Sequence, residues 1–442
     1  MAEYHVENFG CRASRSDGEA IASDLRRRGL HPAIDFSSAN VVIVNTCSVT
    51  TDADSGARAF IRRVHRTNPE AQIVVTGCYA QRAPDELVAL KGVTAVIGNS
   101  HKSLVASSIV EPSTFVPLAK LVNSVPVFVD ENFAHADLAT LPFAEDADQT
   151  RPNLKVQDGC ANRCSFCIIP ETRGPSRSVP LEACISSVQR FVEGGGQELV
   201  LSGINLGRWG RDLHPAMRFV DLVAAILEKT ELPRLRLSSI EPMDWTPELL
   251  GLFTTREGRM ARHAHLPLQS GSDTILRWMY RRYRPWHYAE KLAAIRRLIP
   301  DGAIGADVMV GFPGETDALF QESYDFIAAQ PFTYLHLFPF SARPGTPAAE
   351  LHRVQPVPAS AVQERMKALR ALASQKNEAF RRSFLGQELS VVTLRGNVAG
   401  TTPALSDNFI KMEVETALPA NHIVRVQVTN LSKEGLIGRI RS

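Results

Sequence analysis

The sequence predicts an α/β protein in three successive parts: a parallel α/β domain, a central open (βα)6 partial barrel, and a small β-barrel at the carboxyl end. Three observations carry that prediction. Over the first hundred residues, short apolar runs alternate with helical patterns, as in a parallel sheet covered by helices. Beyond about residue 150, six further strand-like runs recur with helical stretches between most of them. From Gly386 a valine-rich tail shows no helical period and carries the turn signals Arg395-Gly396-Asn397 and Ser406-Asp407-Asn408, so it reads as β.

Composition is that of an ordinary folded protein, with 44% hydrophobic and 22% charged residues, and 442 residues suffice for more than one domain. No apolar run approaches the roughly 18 to 20 residues needed to cross a bilayer, and the start Met1-Ala2-Glu3-Tyr4-His5 lacks a secretory pattern. A cytoplasmic chain without a membrane partner is expected. The net charge of +2 excludes a global electrostatic field for nucleic acid, which would have to be held by local basic surfaces.

In the first part, Tyr4 to Phe9, Val41 to Asn45 and Ile73 to Thr76 read as strands. Each is followed within two residues by a cysteine: Cys11, Cys47 and Cys78. The separations of 36 and 31 residues match one strand-helix repeat. Ligands in such sheets gather beyond the carboxyl ends of neighbouring strands, so three thiolates can converge on a metal or cluster site. Any one of them alone would be read as a small buried apolar residue, as Cys184 is on its amphipathic helix. In a chain with no sign of secretion, a disulfide framework is not expected.

A domain connection is placed near Gln149, in a stretch with several prolines and the acidic Glu145-Asp146-Ala147-Asp148. The expected domains are 1–135, 150–375 and 380–442. Barrel strands are expected at Leu154 to Gln157, Leu199 to Ile204, Leu235 to Ile240, His263 to Leu268, Ile304 to Phe312 and Tyr334 to Phe340. Helices are expected at Leu181 to Glu193, Met217 to Glu228, Tyr288 to Ile299 and Leu319 to Ala329, with a longer one at Ser360 to Phe384.

Directly after the first barrel strand stands Cys160-Ala161-Asn162-Arg163-Cys164-Ser165-Phe166-Cys167, a C-x-x-x-C-x-x-C loop. Three thiolates on one tight loop can hold three irons of a 4Fe-4S cluster and leave the fourth iron without a protein ligand. Such an open iron can chelate S-adenosylmethionine, whose carbon-sulfur bond is then broken by one electron. Structural zinc would want a fourth Cys or His close by, and none follows.

With these motifs in view, nearly the whole chain resembles the radical S-adenosylmethionine methylthiotransferases. Asn45-Thr46-Cys47, Gly77-Cys78-Tyr79-Ala80-Gln81, the cysteine loop with Ile168-Ile169-Pro170 and Arg173-Gly174, and Gly311-Phe312-Pro313-Gly314-Glu315-Thr316 are similar to that family's signatures. The resemblance implies two 4Fe-4S clusters: an auxiliary one on Cys11, Cys47 and Cys78 that binds the sulfur to be transferred, and the radical-generating one on Cys160, Cys164 and Cys167. It further implies a TRAM-like RNA-binding module at the carboxyl end, an electron donor protein and a sulfur source. Lys155 to Cys160, Arg173 to Ser178 and Arg236 to Pro242 look most like the branch that acts on threonylcarbamoyladenosine beside the tRNA anticodon. Isopentenyladenosine tRNA and a ribosomal-protein aspartate are the alternative substrates. A noncatalytic iron-sulfur RNA-binding protein is the rival from another class.

Other residues carry narrower expectations. Gly195, Gly196 and Glu198 precede the second barrel strand and are expected to approach S-adenosylmethionine, with Glu198 accepting from its amino group. Gly311, Pro313 and Glu315 are expected beside the adenosine part, and Ser239 at a ribose or substrate contact together with Glu241, Gln269 and Ser270. Arg281, Arg282, Arg284 and Trp286 lie in a segment where arginines interleave with aromatics, a composition suited to an RNA loop. The tail from Phe380 carries eight Lys or Arg against five acids and no cysteine, so it is expected to grip RNA without ligating a cluster.

Overall fold

The computed structural model describes residues 2–110, 121–122, 125–131, 133, 150–396 and 400–440. The expected connection at Gln149 and the turn residue Asn397 lie outside them. The chain falls into two compact units. One comprises Met1–Glu145 with Gln157–Val179 and Ser341–Thr346, and the other Asp146–Val156, Pro180–Phe340 and Pro347–Ser442. The cysteine loop therefore groups with the amino-terminal residues and not with the barrel that follows it in sequence.

In the first unit the strands His31–Pro32, Glu3–Asn8, Val41–Thr46, Gln72–Gly77, Val93–Gly98 and Val125–Phe128 form a parallel sheet in that spatial order, with Leu121–Val122 antiparallel at the edge. Val41–Thr46 is buried at every position, as expected of a central parallel strand of β-branched residues. Its neighbours are Glu3–Asn8 and Gln72–Gly77, in the registers Asn8↔Asn45 and Thr46↔Gly77. The three cysteine-bearing strand ends are thus side by side. The helices Arg12–Arg27 and Thr51–Thr67 cover the sheet, and Phe60, Ile61 and Val64 of the latter pack on Val42, Val44 and Val75. Val93–Gly98 and Val125–Phe128 were not among the expected strands.

In the second unit all six barrel strands are present. Asn153–Asp158 begins here, followed by Glu198–Gly203, Arg234–Leu237, His263–His265, Ala303–Val310 and Tyr334–Pro339. They form two parallel arcs, with Glu198–Gly203 beside Arg234–Leu237 and Ala303–Val310 between the last two partners. The amide of Ile240 donates to the carbonyl of His265 at 3.0 Å, joining one arc to the other. The helices Leu181–Glu193, Phe219–Lys229, Pro285–Leu298 and Asp317–Ala329 match the expected ones within three residues at either end. Cys184 is fully buried on the first of them, where burial pushes its thiol up to about 12.

After the helix Ala359–Arg382, the strands Glu388–Thr393, Thr402–Ser406, Lys411–Val414, Leu436–Ile440 and Ile423–Leu431 close into a barrel in that order. Its core is Leu389, Val391, Met412, Val414, Val426 and Leu436. The turn Ser406–Ile410 of this module reaches the amino ends of the strands His263–His265 and Tyr334–Pro339. Phe409, with φ of 67°, stacks on His263 at 4.4 Å between ring centroids and approaches Tyr334 at 5.4 Å. Asp407 takes a two-pronged contact from Arg262 at 2.6 and 3.1 Å, and Arg236 donates to the Ser406 carbonyl at 2.9 Å.

Candidate cluster and cofactor sites

Each amino-terminal cysteine sits where its strand ends and a helix or loop starts. Cys11 is exposed at the N-cap of Arg12–Arg27, while Cys47 and Cys78 are buried. Gly10 adopts φ of 100°, and a Cβ there would overlap the Cys47 side chain, so only glycine lets the Cys11 loop lie against Cys47. Burial pushes the Cys47 thiol up to about 12, and Cys78 and Cys11 add to the rise, which marks the three as electrostatic neighbours. The Cys78 sulfur accepts a bond from Asn99 Nδ2 at 3.4 Å.

The second cysteine set is in the same unit. Gly159 has φ of 72°, and a Cβ there would run into the Pro175 carbonyl. The loop is tied back by Cys160 N to the Gly174 carbonyl at 3.1 Å and turned by Cys167 N to the Cys164 carbonyl at 3.1 Å. The Asn162 amide donates to the Cys160 sulfur at 3.4 Å. All three cysteines are partly exposed.

Arg173, on the short helix Ile169–Arg173 that follows Cys167, is buried in the same unit. Its guanidinium meets Asp158 at 3.0 and 3.1 Å and Asp17 at 3.0 Å. Burial opposes its charge, but Asp158, Cys78, Asp17 and Cys11 together hold its pKa well above the ordinary value. A fixed cation beside thiols favours thiolates, and amide donors at two sulfurs do the same. Each thiolate of a cubane holds a different iron, so the sulfurs need not converge on a single point. Both sets fit iron-sulfur ligation. Arg173 was legible only as part of a motif, because its placement beside Cys78 and Cys11 depends on the fold.

In the second unit, buried polar atoms without a hydrogen-bond partner gather at strand carboxyl ends: Ser202 Oγ, Ser238 Oγ and Gln269 Oε1. Gln269 is held at φ of 66°. Such groups suit contact with a polar ligand. Ser239 is at the same end, its Oγ 2.8 Å from His265 Nδ1. Ser202 and Ser238 were missed by the sequence reading, although each stands just where an apolar run gives way to small residues.

Several expectations are corrected. Glu198 is the first residue of its strand, at the end opposite Gly203, and is fully buried. Its carboxylate is taken by Arg151 at 2.7 Å, Arg236 at 2.8 Å and Arg234 at 3.3 Å. Burial raises its pKa, but the arginines outweigh burial and bring it to about 2. It has no capacity left for an ammonium group. Gly195 and Gly196 terminate the preceding helix at that same end, and Gly196 is covered by Phe191.

Glu315 is spent inside its own loop: its carboxylate accepts from Gly311 N at 3.0 Å and from Arg365 at 2.9 Å. It shapes the turn that contains Pro313 and does not project from it. Arg281 is buried against Glu241 at 2.6 Å and Tyr283 at 3.0 Å, which removes it from an RNA surface. Arg284 is partly buried and pairs with Asp273 at 3.4 Å. Arg282 and Trp286 remain exposed, together with Trp278 and Tyr280.

Residues 3–98 match the model described as "Uncharacterized protein family UPF0004", and residues 154–327 match the Radical SAM superfamily. The threonylcarbamoyladenosine tRNA methylthiotransferase MtaB of Aquifex aeolicus is 34% identical over 96% of this chain and 99% of its own length. The Bacillus subtilis protein of the same name is 35% identical over 89% and 85%. A tRNA-2-methylthio-N(6)-dimethylallyladenosine synthase of Erythrobacter litoralis is 29% identical over 99% and 97%. Among solved structures, the radical S-adenosylmethionine methyltransferase TsrM from Kitasatospora setae superposes with a TM-score of 0.58 at 15% identity, covering 79% of this chain and 77% of that one.

Proposed function

Because the chain belongs to the radical S-adenosylmethionine methylthiotransferases, we propose that it installs a methylthio group at carbon 2 of threonylcarbamoyladenosine, beside the anticodon of tRNA. The observation that carries this reading is the pairing, in one compact unit, of three strand-end cysteines with a C-x-x-x-C-x-x-C loop, the buried Arg173 standing beside Cys78 and Cys11. A single-cluster radical enzyme has no need of the first set.

Cys160, Cys164 and Cys167 would hold the radical-generating 4Fe-4S cluster, and Cys11, Cys47 and Cys78 an auxiliary one. When bound, the reduced cluster supplies the electron that splits S-adenosylmethionine. Carbon 2 of adenine carries no acidic proton, which is why the reaction calls for radical chemistry instead of a general base. Arg173 offsets thiolate charge, and Asp17 and Asp158 fix its guanidinium. Ser202, Ser238, Ser239 and Gln269 offer the polar atoms that orient cofactor and substrate, with Gly311 and Pro313 forming the neighbouring turn. Arg282 and Trp286, with Trp278 and Tyr280, supply charge and stacking faces for an unpaired loop, whose base is exposed at low unstacking cost. The functional segments are 1–135, 150–375 and 380–442, the last a TRAM-like module. An electron donor protein and a sulfur source complete the scheme in the cytoplasm. Among the described residues, no helix is long and apolar enough to cross a membrane.

Nucleoside mass spectrometry tests the reading. The reconstituted enzyme should thiolate threonylcarbamoyladenosine tRNA in preference to isopentenyladenosine tRNA or the ribosomal-protein substrate. Cys47→Ala should abolish thiolation and retain S-adenosylmethionine cleavage, whereas Cys164→Ala should abolish both. Thiolation by Cys47→Ala would refute the two-cluster scheme, and absence of cleavage by the reduced wild type would favour the noncatalytic rival.

A further inference from the structure

Inside the second unit, His265, Asp307 and His336 come from three adjacent parallel strands and stand together without a role in the reading above. His263 and Tyr334, at the amino ends of their strands, make the layer closed by Phe409. His265 and His336 stand two residues further along the same strands, and Asp307 is the register partner of His336. The flanking Ala306 and Val308 are buried, whereas Asp307 and His336 keep access to solvent. The three side chains thus come together beside the layer of His263 and Tyr334.

We propose that His265, Asp307 and His336 form a binding site for one divalent transition-metal ion of the zinc class. Two imidazoles and one carboxylate are a donor set that such ions favour, and three protein ligands leave a position open for water or a substrate atom. The geometry is close to what the ion requires. Donor atoms about 2.0 to 2.1 Å from a tetrahedral ion are separated by roughly 3.3 Å. Asp307 Oδ1 is 3.2 Å from His336 Nδ1 and 3.5 Å from His265 Nε2. All three ligand atoms lie within 4.8 Å of one another. The remaining closure falls to His336, whose side chain is 57% exposed and has room to swing. His265 is already oriented: its Nδ1 bonds Ser239 Oγ at 2.8 Å, which directs Nε2 toward Asp307. A hydrogen-bonded second ring nitrogen is the usual companion of a metal-ligating histidine.

The test uses the reconstituted holoenzyme, with iron counted in every sample. After exposure to zinc chloride and desalting, the wild type should retain one zinc per chain by mass spectrometry. Its zinc-edge X-ray absorption should show only nitrogen and oxygen neighbours, at about 2.0 to 2.1 Å. His336→Ala, at an exposed position, and Asp307→Asn should each weaken zinc retention at least 100-fold with iron content unchanged. Ser239→Ala should weaken it about 10- to 100-fold. The proposal is overturned by a wild type that keeps no zinc, by a sulfur shell near 2.3 Å that assigns the ion to cysteines, or by full retention in His336→Ala. None of these readouts depends on tRNA thiolation, so this idea and the functional reading fail separately.

Discussion

Two buried charge clusters, one in each unit, have opposite make-up. In the first, one guanidinium, Arg173, is held by two carboxylates beside thiols. In the second, one carboxylate, Glu198, is shared by three guanidiniums. Around Glu198 the surplus positive charge is met within the chain, by Asp407, the Ser406 carbonyl and Ser390 Oγ of the carboxyl-terminal module. That cluster is a fastening. Around Arg173 the protein gathers cation and thiols in a site suited to iron, so its balance is completed by what binds there. Full burial of charge therefore does not by itself mark a functional site; what distinguishes the two is whether the neighbours can ligate.

The sharpest way to break this contrast is Arg173→Met. Removing one partner of a buried ion pair costs about 3 to 5 kcal/mol, and here it takes the guanidinium from Asp158 and from Asp17, which keeps Lys102. Iron content at the Cys11, Cys47 and Cys78 site should collapse and thiolation should fall by more than about 100-fold, the factor that 3 kcal/mol represents. Full iron and turnover in this variant would remove Arg173 from the site. Glu198→Gln should instead lower unfolding stability by a similar 3 to 5 kcal/mol in a urea melt. The protein that remains folded should keep its iron and its S-adenosylmethionine cleavage. Iron loss at unchanged stability would erase the distinction.

Acid sharpens the comparison further. The Glu198 carboxyl is depressed from an ordinary 4.5 to about 2, so its stabilisation is fully present above pH 4.5 and is lost as pH falls toward 2. In that window the wild type should lose roughly 3 kcal/mol that Glu198→Gln does not, and the two melting curves should converge. Parallel curves down to pH 2 would show that the carboxylate is not the fastening group. The smallest effect is expected at the surface. Arg282→Ala should lower the salt slope of tRNA binding by roughly 0.7 to 0.9 for one phosphate contact, with iron and stability unaltered. An unchanged slope would move the RNA contact elsewhere.

Much of the architecture was legible because it rests on periodicity. The six barrel runs and the helix Leu181–Glu193 were found in place, since alternation and amphipathic spacing are local properties. The cysteines were legible through their repeated place after a strand. Burial and convergence were not. Glu198 after Gly195-Gly196 has the composition of a ligand loop, and its partners Arg151, Arg234 and Arg236 come together only when strands pair. The alternation Arg234-Leu235-Arg236-Leu237 was a usable sign of inward-facing charge. Arg281 belongs to a basic-aromatic run whose residues fold to different sides, and a linear pattern cannot sort them. His265, Asp307 and His336 are spread over 71 residues and meet only because adjacent parallel strands bring them together, His336 as the register partner of Asp307 and His265 as that of Gly305, two residues before it.

The aromatic ring of Phe409 bears on the order in which the protein is made. Ribosomes deliver a chain from its amino end, and domains tend to fold as they emerge. The six strands are all synthesised before residue 409, so until the turn Ser406–Ile410 appears His263 and Tyr334 lack the ring packed against them and Arg236 lacks the Ser406 carbonyl. A chain interrupted before Asp407 would consequently be left with these ring faces and this guanidinium open to water. Cover for the amino ends of His263–His265 and Tyr334–Pro339 is in this way supplied only after both strands have been made.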